Sequence, residues 1–320
     1  MKIVVPGGTG QVGTVLARAF GGQGHEVVVL GRGTARDGGP TRHVRWDART
    51  LGAWADELEG ADALVNLAGR SVNCRYNATN RREIMDSRVE STRVLGEAMR
   101  EVERPPPVWL QASTATIYAH RFDAANDEAG GRLGGNELPD LPDTWRFSYD
   151  VAHTWEQVAR EAAGDRTRLV LLRSAVVMNP DPGSAFDVLL GLVRRGLGGT
   201  AGNGRQWISW IHHEDFTRAL AWLLEHDTVA GPVNIAAPDP LPNAAFMRAL
   251  RRAWGTRVGL PATAWMLEVG AVLVRTETEL ILKSRRVVPG RLLDEGFEFA
   301  HARWSDAARE LCTEWRSQRP

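Results

Sequence analysis

Short runs of β-branched and other apolar residues alternate with longer stretches of helical periodicity over the first two-thirds of the chain. That alternation predicts parallel βαβ units. Strands are predicted at Lys2–Val5, Glu26–Leu30, Thr41–Trp46, Ala63–Leu67, Val108–Ala112 and Arg168–Val177. Helices are predicted at Val12–Gly21, Arg81–Val102 and Phe147–Ala163; in the second, Ile84, Arg88, Thr92 and Leu95 share one side at helical spacing. Several strands are apolar at every position, as expected where helices cover both faces of a sheet. The stretch from Asp123 to Thr144 is rich in Pro, Gly and Asp and reads as a surface loop. Beyond the sixth strand come a glycine-rich loop at Gly196–Gly204, a helix at Phe216–His226, a short strand at Pro232–Ala236 and a mostly helical tail from about Asn243. The expected fold class is therefore α/β, a doubly wound parallel sheet with a smaller, mostly helical C-terminal lobe. The sheet domain would span 1–177, completed by parts of 205–237, and the lobe would span 178–320.

Composition narrows the class of function. The chain is 43% hydrophobic and 24% charged, and 39 basic residues balance 39 acidic ones. Neither nucleic acid nor an anionic membrane is an expected partner of so neutral a chain. The apolar run Ile3–Val5 is too short for a signal peptide, and Trp265–Val274 is interrupted by Glu268 and too short to span a bilayer. Cys74 and Cys312 form no metal-ligand or redox spacing. The expectation is a soluble, cytoplasmic protein. The basic runs Arg251-Arg252 and Lys283-Ser284-Arg285-Arg286 read as solvated faces.

Candidate chemistry begins directly after the first strand. Gly7, Gly10 and Gly13 are spaced G-x-x-G-x-x-G across a strand-to-helix turn that also holds Gln11 and Val12. Such a turn lets a diphosphate approach the backbone and face the helix N-terminus. The second strand runs into Gly31-Arg32. An acid at this point would select NAD(H), whereas a guanidinium can bind a 2′-phosphate, so NADP(H) is the expected cofactor. A third segment, Asn66-Leu67-Ala68-Gly69, places small residues at the end of the fourth strand, where a cofactor lies close to the backbone.

Together these segments resemble the extended short-chain dehydrogenase/reductase superfamily. Further stretches are similar to its atypical, epimerase-like YfcH-type branch. They are Ile84-x-x-Ser87-Arg88-x-x-x-Thr92, Gly196–Trp207, Trp210–Asp215, Gly231–Asn234 with Ala237-Pro238, and Arg286–Phe297. The resemblance covers essentially the whole chain. It implies a Rossmann-type domain, a family-type C-terminal segment at about 245–312, NADP(H) as cofactor, and Arg88 among the cofactor-binding positions. It implies no particular substrate.

The superfamily surrounds its nicotinamide with a Ser or Thr at the end of the fifth strand and a Tyr-x-x-x-Lys on the next helix. Here Thr114 is the best match to the hydroxyl, with Ser113 next, while Tyr118 belongs to the strand-end motif. The helix offers Tyr149-x-x-x-His153, at i and i+4, without the lysine. Tyr149 would exchange a proton and His153 would assist. Where nucleotide-sugar epimerases usually place a diphosphate-binding arginine, the alignment puts Ile208; Arg205 and Arg194 have other spacings. In His212-His213-Glu214-Asp215 the acids read as helix capping, and no metal is expected. The resulting expectation is an NADP(H)-dependent oxidoreductase or epimerase acting on a small hydroxyl- or carbonyl-bearing molecule, with a homodimer expected by analogy. The alternative is a non-catalytic NADP(H)-binding redox-sensing or regulatory module.

Overall fold

The computed structural model describes residues 1–33, 36–38, 41–134, 142–268 and 277–319. Parts of two stretches discussed above, 135–141 and 269–274, lie outside the described residues. The main sheet contains β1 (Lys2–Pro6), β2 (Glu26–Gly31), β3 (Arg36–Gly38), β4 (Thr41–Arg45), β5 (Ala63–Asn66), β6 (Val108–Thr114) and β7 (Arg168–Ser174). Its order is completed by β11 (Gly231–Ile235), giving β11-β7-β6-β5-β1-β2-β4-β3. All neighbouring pairs are parallel except the β3–β4 pair at one edge. This is a doubly wound, Rossmann-like sheet.

The continuously apolar strands are explained by burial on both faces. Ile3, Val5, Val27 and Val29 pack with Leu16 and Phe20 of α1 (Gln11–Gly22) and with Phe216, Leu220 and Leu223 of α5 (His213–Glu225). Their neighbours Val4, Val28, Leu30, Leu64 and Trp109 point the other way, onto Val94, Leu95 and Met99 of α2 (Ala78–Glu101). Each such side chain contributes roughly 1.5–3 kcal/mol on burial. Beside α2 lies α3 (Asp143–Ala163), which carries Ala162 and Ala163 into the same cluster.

The stretch predicted as one strand over 168–177 divides. After β7 the chain leaves the sheet, and β8 (Val176–Met178) pairs instead with β10 (Trp210–His212). The crossing is held by Ala175 N donating to Ile235 O and Val176 N donating to Ser209 O. The lobe adds α4 (Ala185–Arg194), the short pair β9 (Trp207–Ile208) and β12 (Leu241–Pro242), then α6 (Asn243–Trp254), α7 (Glu279–Leu282), α8 (Gly290–Asp294) and α9 (Trp304–Ser317). Its core is aromatic: Trp304 stacks on Phe246 with ring centroids 4.0 Å apart, and Trp210 meets Trp304 at 5.0 Å. Helix α2 starts three residues before the predicted Arg81, because Asn77 caps it by accepting from Asn80 N. No helix among the described residues is long and apolar enough to cross a membrane.

Candidate functional site

The parallel order reverses between β1 and β5, the point where open α/β sheets bind ligands. The glycine turn sits there. Gly7 N donates to Leu30 O at 3.0 Å, and Leu67 N donates to Pro6 O at 2.9 Å, so the ends of β1, β2 and β5 are tied together. Gly7 has φ +77°, and a Cβ there would lie 2.7 Å from the Leu67 carbonyl and Ala68 N. A Cβ on Gly13 would lie 2.5 Å from Gly8 Cα, so only glycine lets α1 start this close to the turn. Gly10 is the N-cap of α1 and makes no side-chain cap, leaving the first-turn N–H groups open toward the crevice. Val12 packs inward on the core, and Gln11 Nε2 donates to Pro182 O at 3.0 Å, a bond to the lobe. Gly31 lies against the Thr9 methyl, and Arg32 is exposed beyond β2. Buried Asn66 accepts from Ala68 N and donates to Gln111 Oε1, which fixes the Ala68-Gly69 backbone.

Next to this cradle is a cavity of about 240 Å³. Ser113 and Thr114 form one wall at the end of β6. They have different duties. Ser113 Oγ donates to Glu156 Oε1 at 2.7 Å; Glu156 in turn pairs with Arg173 at 2.8 Å, and Arg173 donates to the Tyr118 phenol, which donates to Asn234 Oδ1. Thr114 Oγ1 accepts from Thr116 N at 3.1 Å and keeps its own proton to give.

Helix α3 presents Ser148, Val151 and Trp155 to the cavity. Tyr149 is turned about 100° from Ser148 and packs with Ala115, Ile117 and Tyr118 instead. His153 is exposed, its ring 5.7 Å from that of Tyr149. The structure therefore does not bring the expected Tyr149–His153 pair to the cavity. The phenol that lines it among the described residues is Tyr76, only 8% exposed, with Ser148 on the same cavity wall. Ser148 donates a short hydrogen bond to buried Glu279. Burial, with Glu279 adding to it, pushes the Tyr76 pKa up to about 12.

The basic run at 283–286 is not the solvated face that its composition suggests. Lys283 is buried, with Nζ 2.9 Å from Thr116 O, and Arg285 lines the cavity with Nε 3.1 Å from Thr116 Oγ1. The chain here returns from the lobe across the end of β6. Arg286 lies over the Trp207 ring at 4.1 Å. Arg88 lines the cavity and passes close by Gly69. Arg194 lies over Trp315, Arg205 is exposed and Ile208 packs on the lobe core, so none of these three lines the cavity. Tyr76, Ser148 and the 279–285 stretch that carries Glu279 and Arg285 are three separate segments with no shared motif; only the tertiary fold joins them.

The histidine cluster is denser than adjacent residues alone suggested. His301 joins it from the C-terminal segment, its ring 3.7 Å from that of His212 and its nitrogens 3.0 Å and 3.1 Å from Glu214 and Glu310. The capping side chain is His212, which accepts from Glu214 N; Asp215 is buried and accepts from Ala300 N and His301 N. The acids thus sit in the first turn of α5 but do not supply the cap acceptor.

Residues 3–236 match the NAD dependent epimerase/dehydratase family, and residues 262–311 match a domain of unknown function (DUF1731). A human protein described as epimerase family protein SDR39U1 is 33% identical over 314 residues, covering 97% of this chain and 99% of its own. Epimerase family protein YfhF of Bacillus subtilis is 28% identical over 313 residues, covering 97% and 98%. A crystal structure of human SDR39U1, isoform 2, with NADPH superposes with a TM-score of 0.83 at 32% identity, covering 98% of this chain and 99% of that one. The fold, the glycine cradle and these end-to-end similarities agree: the chain belongs to the NAD dependent epimerase/dehydratase family.

Proposed function

We propose that this protein is an NADP(H)-dependent reductase of the YfcH-type, epimerase-like branch, acting on a small carbonyl- or hydroxyl-bearing molecule. The observation that carries the proposal is the juxtaposition of a glycine turn, packed too closely at Gly7 and Gly13 to take a Cβ, with a cavity walled by Thr114 and Tyr76. Gly7, Gly10, Gly13 and the Asn66–Gly69 backbone fit a dinucleotide, and exposed Arg32 fits its 2′-phosphate. The related human structure, described as containing NADPH, supports the choice of NADP(H). When bound, the cofactor supplies or accepts a hydride.

The chain's own residues would handle the oxygen. Thr114 donates a hydrogen bond to the substrate oxygen and orients it. Tyr76, kept protonated by burial, gives the proton at that oxygen during reduction. Ser148, beside the phenol, is itself fixed by its hydrogen bond to Glu279. The cavity volume of about 240 Å³ falls below the roughly 300–1,000 Å³ of drug-sized ligand sites. A small substrate suits it better than a nucleotide sugar.

The test is NADPH oxidation across a panel of small ketones, aldehydes and oxoacids, with Thr114→Val and Tyr76→Phe as controls. Consumption by the wild type that both variants reduce about tenfold or more supports the proposal. Tight NADPH binding with no consumption across the panel favours a non-catalytic NADP(H)-binding module. The position of Tyr149 and His153 away from the cavity is the observation on that side.

A further inference from the structure

Arg88 stands out among the charged groups around the cavity. Its Nη1 donates to two backbone carbonyls, Ile84 O at 3.0 Å and Arg70 O at 3.1 Å. Its guanidinium carbon lies 4.9 Å from the centroid of the Trp155 ring. No carboxylate among the described residues pairs with it, and neither Nε nor Nη2 makes a hydrogen bond among them. Desolvation pushes its pKa down to about 10, as expected for a cation removed from water without a counter-ion. The nitrogens left over, Nε and Nη2, form the side-on edge of the guanidinium, the edge that meets both oxygens of a carboxylate at once.

The surroundings select a kind of anion. Ile84, Val151 and Trp155 make this part of the wall apolar, and Thr114 lies in the same cavity. A group held here has an anionic end at Arg88, an apolar body, and an oxygen within the chamber that contains the reacting hydroxyls.

We infer that the cavity is specific for small organic carboxylates, with Arg88 binding the carboxylate through Nε and Nη2 while Thr114 takes the carbonyl or hydroxyl oxygen. This rests on the proposed function for the site and names its substrate class, an oxo- or hydroxyacid with an apolar side group. Arg88 is then a specificity-determining residue of the substrate, in place of the cofactor role implied by the family resemblance.

The test uses benzoate and its neutral isostere benzamide, titrated calorimetrically into the full chain with and without NADP⁺, alongside an NADPH titration of each variant. A charge-assisted bidentate contact predicts that the wild type binds benzoate about tenfold or more tighter than benzamide. Arg88→Gln should bring the two within about threefold of each other with NADPH affinity unchanged. Arg88→Lys, which keeps the charge and loses the fork, should fall between them, and thermal melting checks that each variant is folded. Absence of benzoate binding, equal binding of both probes by the wild type, or an undiminished preference in Arg88→Gln overturns the inference. So does a loss of NADPH affinity in Arg88→Gln that leaves the benzoate preference intact, because Arg88 would then serve the cofactor. Failure of the wild type to bind NADPH overturns the proposed function instead, and the cofactor-free titrations still test Arg88.

Discussion

The Ser113 hydroxyl donates to Glu156 Oε1 at 2.7 Å, so one of the two hydroxyls at the end of β6 is committed to a buried ion pair. Thr114, its neighbour, retains a donor for the cavity. The two should therefore separate on mutation. Thr114→Val is expected to lower turnover by about tenfold or more with little change in melting temperature. Ser113→Ala is expected to cost about 1–3 kcal/mol of stability, because Glu156 loses a buried donor. Turnover and chemical denaturation, measured on both variants, check the assignment.

Arg32 makes a second expectation. Arg32→Ala should weaken NADPH binding about 10- to 100-fold, the loss of charge-assisted hydrogen bonds to a phosphate, while NADH binding stays unchanged. Equal losses for the two cofactors would remove Arg32 from 2′-phosphate recognition.

Gly7 has φ +77° and almost no room for a Cβ beside Leu67 and Ala68. Gly7→Ala is expected to destabilise the fold by about 1–3 kcal/mol through backbone strain alone, with further loss from the contact, and to abolish cofactor binding. Thermal melting with and without NADPH measures both: the variant should melt lower and show no shift on adding cofactor.

Tyr149→Phe and His153→Ala should leave turnover within about twofold of wild type, since neither lines the cavity. Tyr76→Phe should remove most activity with NADPH affinity retained. Steady-state kinetics on the three variants decide which phenol carries the proton.

Acid should unfold the protein partly through His212. The ring is fully buried, and burial with neighbouring His213 and His301 pushes its pKa down to about 2 from an ordinary 6.5. The unfolded chain takes up the proton more readily, so this contribution is complete above 6.5 and is lost as pH falls from there toward 2. Melting temperature should drop below pH 6.5, by an amount corresponding to about 1 kcal/mol per pH unit. His212→Asn, which keeps a cap acceptor on Glu214 N, should flatten that slope.

What sequence made legible was whatever is local. The alternating strands, the glycine turn and Asn66 follow from periodicity and from backbone chemistry contained within a few residues, and the structure has them in register. Thr114 was likewise legible from its place before Ala115-Thr116-Ile117-Tyr118. The orientation of α3 was not. Tyr149 and Ser148 are adjacent, and only packing against α2 and the 115–118 segment decides which one meets the cavity. Nor could the 283–286 run be placed, because composition reports charge and not the strand end against which a chain returns. Tyr76 and Glu279 meet at Ser148 from opposite ends of the sequence.

Strand β11 pairs with β7 from Gly231↔Val170 to Ile235↔Ser174, and the residues between them build part of the lobe. During synthesis, β7 is consequently the outer strand until residue 235 has left the ribosome, with its amides and carbonyls open to mispairing. Expression fragments that stop near residue 177 freeze the chain in that aggregation-prone condition. The seam between sheet and lobe is a shared border that the chain crosses at least three times, so a fragment cut on one side of it leaves part of the sheet unpaired.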